Sequence, residues 1–254
     1  SDEGVQVEDM YGYDLQHLSL ARGSVMVLPD TESRHEVRHF YEFDTWSFEP
    51  LLRGGNVPQE ILQRISMPDW EKVWHKLTVT NPNEAPLTTS PTTIFEKGQP
   101  LAQEMVRYTP PKGESVLPIT IAVDVPGSVR ESETGREHGK LNAMNRSWDL
   151  VSCKGTINLV NKKKIPVEVT VKRHVLGKIL ETTGGGKSEA TSEGWSEFLS
   201  KLWEDSNRQY YWNWWNNYGY YPAVNPISLA TWKVTLKPGE QMTLEYTSTY
   251  YENR

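Results

Sequence analysis

The 254-residue chain has little cysteine and no excess of positive charge. Cys153 is its only cysteine, so no disulfide bond forms within the chain, and its strand context predicts a buried thiol. The net charge of -6 provides no wide basic surface, which excludes a typical nucleic-acid partner. No segment reaches the roughly 18 apolar residues of a membrane-spanning helix, so we expect no transmembrane segment in this chain.

Chemical motifs are equally scarce. The six histidines lack the spacing of a metal site, and His39 and His75 are predicted to lie among core neighbours. His138 beside Glu137 is a weak candidate metal ligand. Gly186–Ser188 resembles the end of a phosphate loop without its first glycine, and predicts a flexible linker. We therefore expect no cofactor and no metal.

One pattern occurs twice in the chain. An alternating strand, Leu77–Asn81, is followed after a short polar loop by Pro86–Thr88, and Ile157–Asn161 is followed in the same way by Pro166–Glu168. Alternation with a period of two residues on both sides of a short loop is typical of a β-hairpin. The pattern therefore predicts two hairpins.

The end of the chain predicts a third hairpin and completes the fold class. Trp232–Leu236 leads through the Pro-Gly turn Lys237–Glu240 into the alternating strand Met242–Tyr246. With roughly ten strands at this spacing, we predict an all-β fold, an antiparallel β-sandwich. We expect a single unit over 1–254, or two sandwich-like halves at about 1–140 and 141–254, with an aromatic-rich helical or irregular insertion at 181–226.

A polar ribbon at 129–138 contains the candidate catalytic carboxylates. Glu131, Glu133 and Glu137 alternate along it, and both of its faces are polar, so we predict an edge strand or a projecting hairpin outside the core. Two carboxylates on alternate strand residues meet the spacing of a glycosidase pair, which makes a hydrolase the third-ranked hypothesis. A solvated face is the ordinary explanation.

The segment 210–221 contains eight aromatic residues interleaved with asparagine. Aromatic rings stack on sugars and amides bond hydroxyl groups, so this segment is the candidate ligand site. The alternative is that it covers a sheet face or forms a subunit interface. The candidate ligand-binding residues are Trp212, Trp214, Trp215 and Tyr218.

Several segments carry a resemblance to a known family, namely Leu20–Gly23, His39–Asp44, Leu77–Asn81, Pro86–Thr89, Tyr108–Pro110, Ile121–Asp124 and Trp232–Glu240. The chain resembles the bacterial domain of unknown function 4139, which also occurs at the C-terminal end of mucoidy-inhibitor-like proteins, from about Leu15 to Tyr251. The resemblance implies a β-rich sandwich in an envelope-associated or exported protein, and it supplies no catalytic residues. The insertion at 195–221 departs from the family pattern.

The absence of chemical motifs favours a non-catalytic protein. We expect a structural or interaction module of a bacterial cell-envelope or exported protein, acting through a protein partner or self-association, in an extracytoplasmic location. A carbohydrate-binding module that uses the 210–221 segment is the alternative. The chain begins at Ser1 without methionine, so we expect a processed or excised fragment.

Overall fold

A computed structural model describes residues 5–7, 10–12, 19–23, 34–47, 71–191 and 221–253. Within these ranges the chain forms fourteen strands and one four-residue helix, which confirms the all-β class. The elements are β1 (Val5–Val7), β2 (Met10–Gly12), β3 (Val37–Trp46), β4 (Val73–Thr80), β5 (Ser90–Glu96), β6 (Gln99–Val106), β7 (Glu114–Ile121), β8 (Gly127–Ala143), β9 (Arg146–Val160), β10 (Val167–Leu176), β11 (Lys178–Thr182), β12 (Lys187–Thr191), α1 (Tyr221–Val224), β13 (Ile227–Leu236) and β14 (Gln241–Asn253).

The chain divides into two compact units, and the second unit contains Tyr41–Trp74 and Ile121–Arg254. In this unit β11, β14, β9 and β8 form one antiparallel sheet in that order. A facing layer contains β12, β13, β10 and β3, where only the β10–β3 pair is parallel. One buried apolar core includes Ile157 and Leu244 from the first layer and Trp232 from the second. Two sheets that share one core form a β-sandwich.

The first unit contains Ser1–Phe40 and His75–Thr120. In its strand order β4 lies between β3 and β7, and Leu77 and Leu117 on β4 and β7 are buried. β5 and β6 form a two-stranded antiparallel sheet, joined at Lys97–Gly98. Both turn residues have positive φ, which matches the twist of a two-residue hairpin.

The three predicted hairpins are wrong, because in each of them the two strands belong to different sheets. β9 pairs with β8 and β14, whereas β10 pairs with β13 and β3. β4 and β5 are separated in the same way, and so are β13 and β14. Alternation reports which face of a strand is buried and not which strand lies beside it. A hairpin and a connection that crosses between sheets therefore have the same sequence pattern.

Asn161 holds the crossing between β9 and β10. Its fully buried side chain donates from Nδ2 to the backbone oxygens of Ile165, Leu236 and Lys237, at 2.9, 3.0 and 3.1 Å. Its Oδ1 accepts the backbone N–H of Lys163 at 2.9 Å. One amide thus binds carbonyl groups at two separate crossings, and buried backbone polar groups need such partners.

Asn161 also positions the Pro-Gly turn between β13 and β14. Glu240 N donates to Lys237 O at 3.0 Å, and Gly239 has a φ of 74°, as in a type II turn with proline at its second position. Asn161 N donates to Glu240 O at 2.9 Å, and Asn161 O accepts from Gly239 N at 2.8 Å. The predicted turn is therefore confirmed, although it joins two layers.

Asn81 makes the same set of bonds in the first unit. Its backbone N donates to Gly113 O and its O accepts from Lys112 N, both at 2.9 Å. Lys112 has a φ of 60°, like Gly239 in the second unit. The chain therefore contains two copies of one structural module, in which Asn81 corresponds to Asn161. The first module comprises β4, β5, β6 and β7, and the second comprises β9, β10, β13 and β14. The side-chain partners of Asn81 are the backbone groups of Ala85, Thr109, Pro110 and Asn83, at 3.0, 3.2, 3.3 and 3.1 Å.

Replacing Asn161 by alanine should lower the free energy of unfolding by about 3 kcal/mol, because it leaves several buried carbonyls without a donor. Asn158→Ala is the matched control on β9, since Asn158 accepts one exposed bond from Thr243, at 2.9 Å. The control should cost about 0.5–1 kcal/mol. Urea unfolding followed by circular dichroism measures both. Equal costs for the two variants would contradict the role given to Asn161.

Candidate functional site

The predicted ligand-binding aromatics Trp212, Trp214, Trp215 and Tyr218 lie outside the described residues, so their role stays a prediction. The structure describes the first residues of the insertion predicted at 181–226, and these include the end of β11 and all of β12. The predicted flexible linker at Gly186–Ser188 is wrong, because Lys187 and Ser188 lie in β12.

The turn before β12 is built around Trp232. Trp232 Nε1 donates to Thr183 O at 2.7 Å, and Thr182 Oγ1 donates to Gly186 O at 2.7 Å. A Cβ atom on Gly186 would lie 2.3 Å from Trp232 Nε1. Glycine is needed there because the backbone passes directly against the indole ring, so this glycine run closes one side of the core.

β8 is an edge strand, as predicted. Within the described part of the chain it pairs with β9 alone, through a turn at Met144–Asn145 where both residues have positive φ. Its register breaks between Glu133 and Gly135 and again between Glu137 and Leu141. Bulges of this kind keep an edge strand from pairing with another chain.

The prediction that the ribbon stays outside the core is wrong for Glu131. Arg173 Nη2 donates to Glu131 Oε2 at 3.2 Å, and Ser47 Oγ donates to Glu131 Oε1 at 3.1 Å. Tyr246 donates its hydroxyl to Glu131 Oε2 and accepts from Arg173 Nε at 2.8 Å. These contacts link β8, β10 and β14 inside the sandwich. Sequence could not reveal them, because Arg173 and Tyr246 are distant in the chain.

The network has a defined charge state. Burial raises the pKa of Tyr246 far above its ordinary value, and Glu131 adds to the shift, so the phenol keeps its proton. Burial by itself would lower the pKa of Arg173, but Tyr246 and Glu131 outweigh it and the net direction is upward. A guanidinium cation and a neutral phenol therefore lie beside Glu131 in the interior of the sandwich.

Gly155 admits the Tyr246 ring into this interior. The two residues are opposite each other in the β9–β14 register. A Cβ atom on Gly155 would lie 2.0 Å from Tyr246 Cζ, which no side chain tolerates. The ring therefore lies over the β9 backbone, with its hydroxyl directed at Glu131 and Arg173.

The other two candidate carboxylates bind bases on their own strand. Glu133 Oε1 lies 2.9 Å from Arg136 Nε, and Glu137 Oε2 lies 2.6 Å from Lys140 Nζ. Arg136 also bonds Glu252, and the contacts with Glu133 and Glu252 raise the Arg136 pKa above its ordinary value. The three glutamates thus make separate ion pairs and do not face one another as an acid and base pair.

His138 binds Asp149 and not its neighbour Glu137. His138 Nδ1 lies 2.8 Å from Asp149 Oδ2, and Gly139 N donates to Asp149 Oδ1 at 2.9 Å. Among the residues that the structure describes, no group of three or more His, Cys, Asp or Glu could hold a metal ion. Cys153 is buried in β9, as predicted.

The prediction that His39 and His75 lie among core neighbours is wrong. His39 is exposed and His75 is half-buried, and His39 Nδ1 lies 2.9 Å from His75 Nε2. Alternation correctly predicts strands here, but it does not say where along a strand the covering layer ends. β3 is exposed from Val37 to His39 and buried only from Tyr41.

The β5–β6 hairpin exposes a face that its counterpart in the second module buries. Phe95 and Met105 are 62% and 52% exposed. When residues are counted from the shared asparagine and from the shared turn, Phe95 corresponds to Val175 and Met105 corresponds to Trp232. Val175 and Trp232 are each 1% exposed. An internal comparison of the two modules is the sequence signal that could have identified this face.

The register of the two strand pairs, β5–β6 and β10–β13, supports this correspondence. Pro91 pairs with Met105 and Thr93 with Gln103 in the first module. Val171 pairs with Trp232 and Arg173 with Ala230 at the equivalent positions of the second. The four residues of the second module are buried, whereas the four residues of the first module are exposed. The uncovered face, defined as Pro91, Thr93, Phe95, Gln103 and Met105, carries no charged side chain.

The outer edge of β5 is open to pairing. Leu87 and Thr109 exchange both backbone hydrogen bonds at 2.9 Å, and the register continues unbroken to Ile94. Because bonded and non-bonded pairs alternate, the N–H groups of Ser90, Thr92 and Ile94 point away from β6. No described strand pairs with this edge. Unlike β8, it has no charged residue before Glu96.

Glu131→Gln should lower the free energy of unfolding by about 3 kcal/mol, because it leaves the Arg173 cation buried without a counter-charge. Adding Arg173→Met to that variant should recover more than half of the loss, since the uncompensated charge is then gone. Chemical unfolding of the two variants gives the comparison. If the double variant is less stable than Glu131→Gln, the ion pair is not the source of the cost.

No helix in the described ranges is long and apolar enough to cross a membrane. The resemblance to the bacterial domain of unknown function 4139 stays a prediction. Comparison with protein families, with curated proteins and with solved structures found no match for this chain.

Proposed function

We propose that the chain is a non-catalytic interaction module of a bacterial cell-envelope or exported protein, and that it binds a second copy of itself through the β5–β6 hairpin. The exposure of Phe95 and Met105 at positions that the second module buries carries this proposal. Full burial of such a side chain is worth about 1.5–3 kcal/mol. Met and Phe are also enriched at protein interfaces.

The chemistry of β5 favours a second copy as the partner. An antiparallel pairing of two β5 strands about a two-fold axis places Ser90–Phe95 of one copy opposite the same segment of the other. Neither segment carries a charge, so two chains of net charge -6 meet there without repulsion at the contact. The result is a four-stranded sheet in which the two uncovered faces become continuous.

The second module supplies a precedent for this mode of binding. The outer edge of β10, which corresponds to β5, pairs with Tyr41–Trp46 of β3 over six residues. Addition of a strand to an open sheet edge is a common mode of protein recognition, because backbone hydrogen bonds supply affinity and alternate side chains supply specificity. The bacterial and extracytoplasmic parts of the proposal rest on the family resemblance alone.

The 254-residue chain should therefore dimerise with a concentration-dependent equilibrium in sedimentation velocity. Thr93→Lys places a charge at the centre of the uncovered face and should raise the dissociation constant at least about tenfold, which corresponds to 1.4 kcal/mol. The matched control is Ser128→Lys on the edge strand β8, which should leave the equilibrium unchanged. A wild-type chain that stays monomeric at every concentration, or equal weakening by both variants, would overturn the proposal.

A further inference from the structure

Three loops of the second unit form one continuous surface at the end of the sandwich where β9 ends and β10 begins. Lys162 N donates to Asp124 O at 2.8 Å, and Asn161 N donates to Glu240 O at 2.9 Å. We refer to the three loops together as the loop end. The loops that these bonds join, all in the second unit, are 122–126, 161–166 and 237–240.

The loop end combines exposed apolar side chains with lysines. Val123 is 77% exposed and Ile165 is 61% exposed, so neither side chain packs in the core. The three loops carry four lysines against two acidic residues, so this surface is positive in a chain whose net charge is -6. The lysines are Lys162, Lys163, Lys164 and Lys237, and the acidic residues are Asp124 and Glu240.

Both acidic residues of the loop end already have partners. Asp124 Oδ2 lies 3.9 Å from Lys163 Nζ, and Glu240 Oε2 accepts the backbone N–H of Lys237 at 2.6 Å. Lys162 and Lys164 are exposed, and neither forms an ion pair with a residue that the structure describes. Their charges are therefore available to a partner outside the chain.

The first module contains a counterpart of the loop that follows Asn161. The Asn161 side chain donates from Nδ2 to Ile165 O at 2.9 Å, and the Asn81 side chain donates from Nδ2 to Ala85 O at 3.0 Å. The two loops therefore have the same length and the same closing bond. Ile165 corresponds to Ala85, so the loop forms without a large apolar side chain at this position.

The first module replaces the lysines in the same way. Lys163 N and Asn83 N each donate to the Oδ1 atom of the preceding asparagine, at 2.9 and 3.1 Å. Lys163 therefore corresponds to Asn83, and the next residue, Lys164, corresponds to Glu84. Because the loop folds with these substitutes, the lysines and the isoleucine of the second module are not required by the fold and can serve recognition.

We propose that the loop end binds the surface of a membrane that contains anionic lipids. Lysines near such a surface are attracted to the headgroups, and exposed apolar side chains enter the boundary between headgroups and acyl chains. A lysine stem lies along apolar surface while its ammonium group stays in water, so both kinds of side chain fit one interface. A nucleic acid offers phosphates but no apolar layer for Val123 and Ile165.

The negative net charge of the whole chain does not prevent this contact. Salt screens exposed charges that lie more than about 10 Å apart, so the lysines at the contact outweigh the acidic residues elsewhere in the chain. The attraction should therefore be local and sensitive to salt.

Cosedimentation of the 254-residue chain with lipid vesicles tests the proposal. The chain should bind vesicles of phosphatidylcholine and phosphatidylglycerol in equal amounts, and it should not bind vesicles of phosphatidylcholine alone. Binding should weaken as salt is added, because screening reduces the attraction between exposed charges. Failure to bind the mixed vesicles, or equal binding to both kinds, would overturn the proposal.

Two variants that introduce residues of the first module assign the binding to the loop end. Lys164→Glu should raise the dissociation constant for the mixed vesicles at least about tenfold, and Ile165→Ala at least about threefold. Lys178→Glu and Leu180→Ala are the matched controls, because they alter exposed residues of β11 outside the loop end. Neither control should change the binding.

Circular dichroism of each variant separates loss of binding from loss of the fold. Equal weakening by a variant and its control contradicts the assignment to the loop end. Binding of a DNA duplex that Lys164→Glu weakens and Ile165→Ala leaves unchanged would also overturn the proposal, because it assigns the lysines to a nucleic acid. The dimer equilibrium is measured without vesicles, and the loop end contains no residue of β5 or β6, so the two results are independent.

Discussion

The buried asparagine at the end of β4 and of β9 is the interaction on which the rest of the structure depends. Each asparagine binds backbone groups of its own loop and of a distant turn, with both its side chain and its main chain. A buried carbonyl without a donor costs about 1–3 kcal/mol, so a chain that crosses between sheets needs such a partner. Because the asparagines fix the connections between the sheets, the alternating apolar residues of the second unit face one another across a single core.

The two modules share this framework and differ in the side chains on their strand pairs β5–β6 and β10–β13. In the second module the inward face of β10–β13 packs in the core and includes Arg173, whose charge is balanced by Glu131. In the first module the position of Arg173 is taken by Thr93, and the equivalent face is exposed. A buried ion pair adds little net stability over an apolar pair, so the network is better explained by the specificity it gives to strand packing. This explanation applies to the second unit alone, because Glu131, Arg173 and Tyr246 all belong to it.

The uncovered face belongs to the first module, and this has a physical reason. Val175 and Trp232 are core residues of the second module, where a polar or exposed residue would be costly. The equivalent positions of the first module, Phe95 and Met105, are exposed, so this constraint is absent there. Phe95 and Met105 can therefore serve contacts with a partner in place of packing. On these strand pairs the second module is constrained by its core, and the first module has residues left for recognition.

Sequence alone determined the local features of this protein. Alternation in β9, β10 and β13 predicted the strands, Pro238 and Gly239 predicted the turn, and the polarity of β8 predicted an edge. These features depend on the period-two geometry of a strand and on the φ preferences of single residues. Only the tertiary structure decided which strands pair, because three apparent hairpins are crossings fixed by bonds from Asn81 and Asn161 to remote carbonyls. It also decided that Glu131 turns inward, that His39 meets His75, and that Phe95 is uncovered, since each depends on residues distant in the chain.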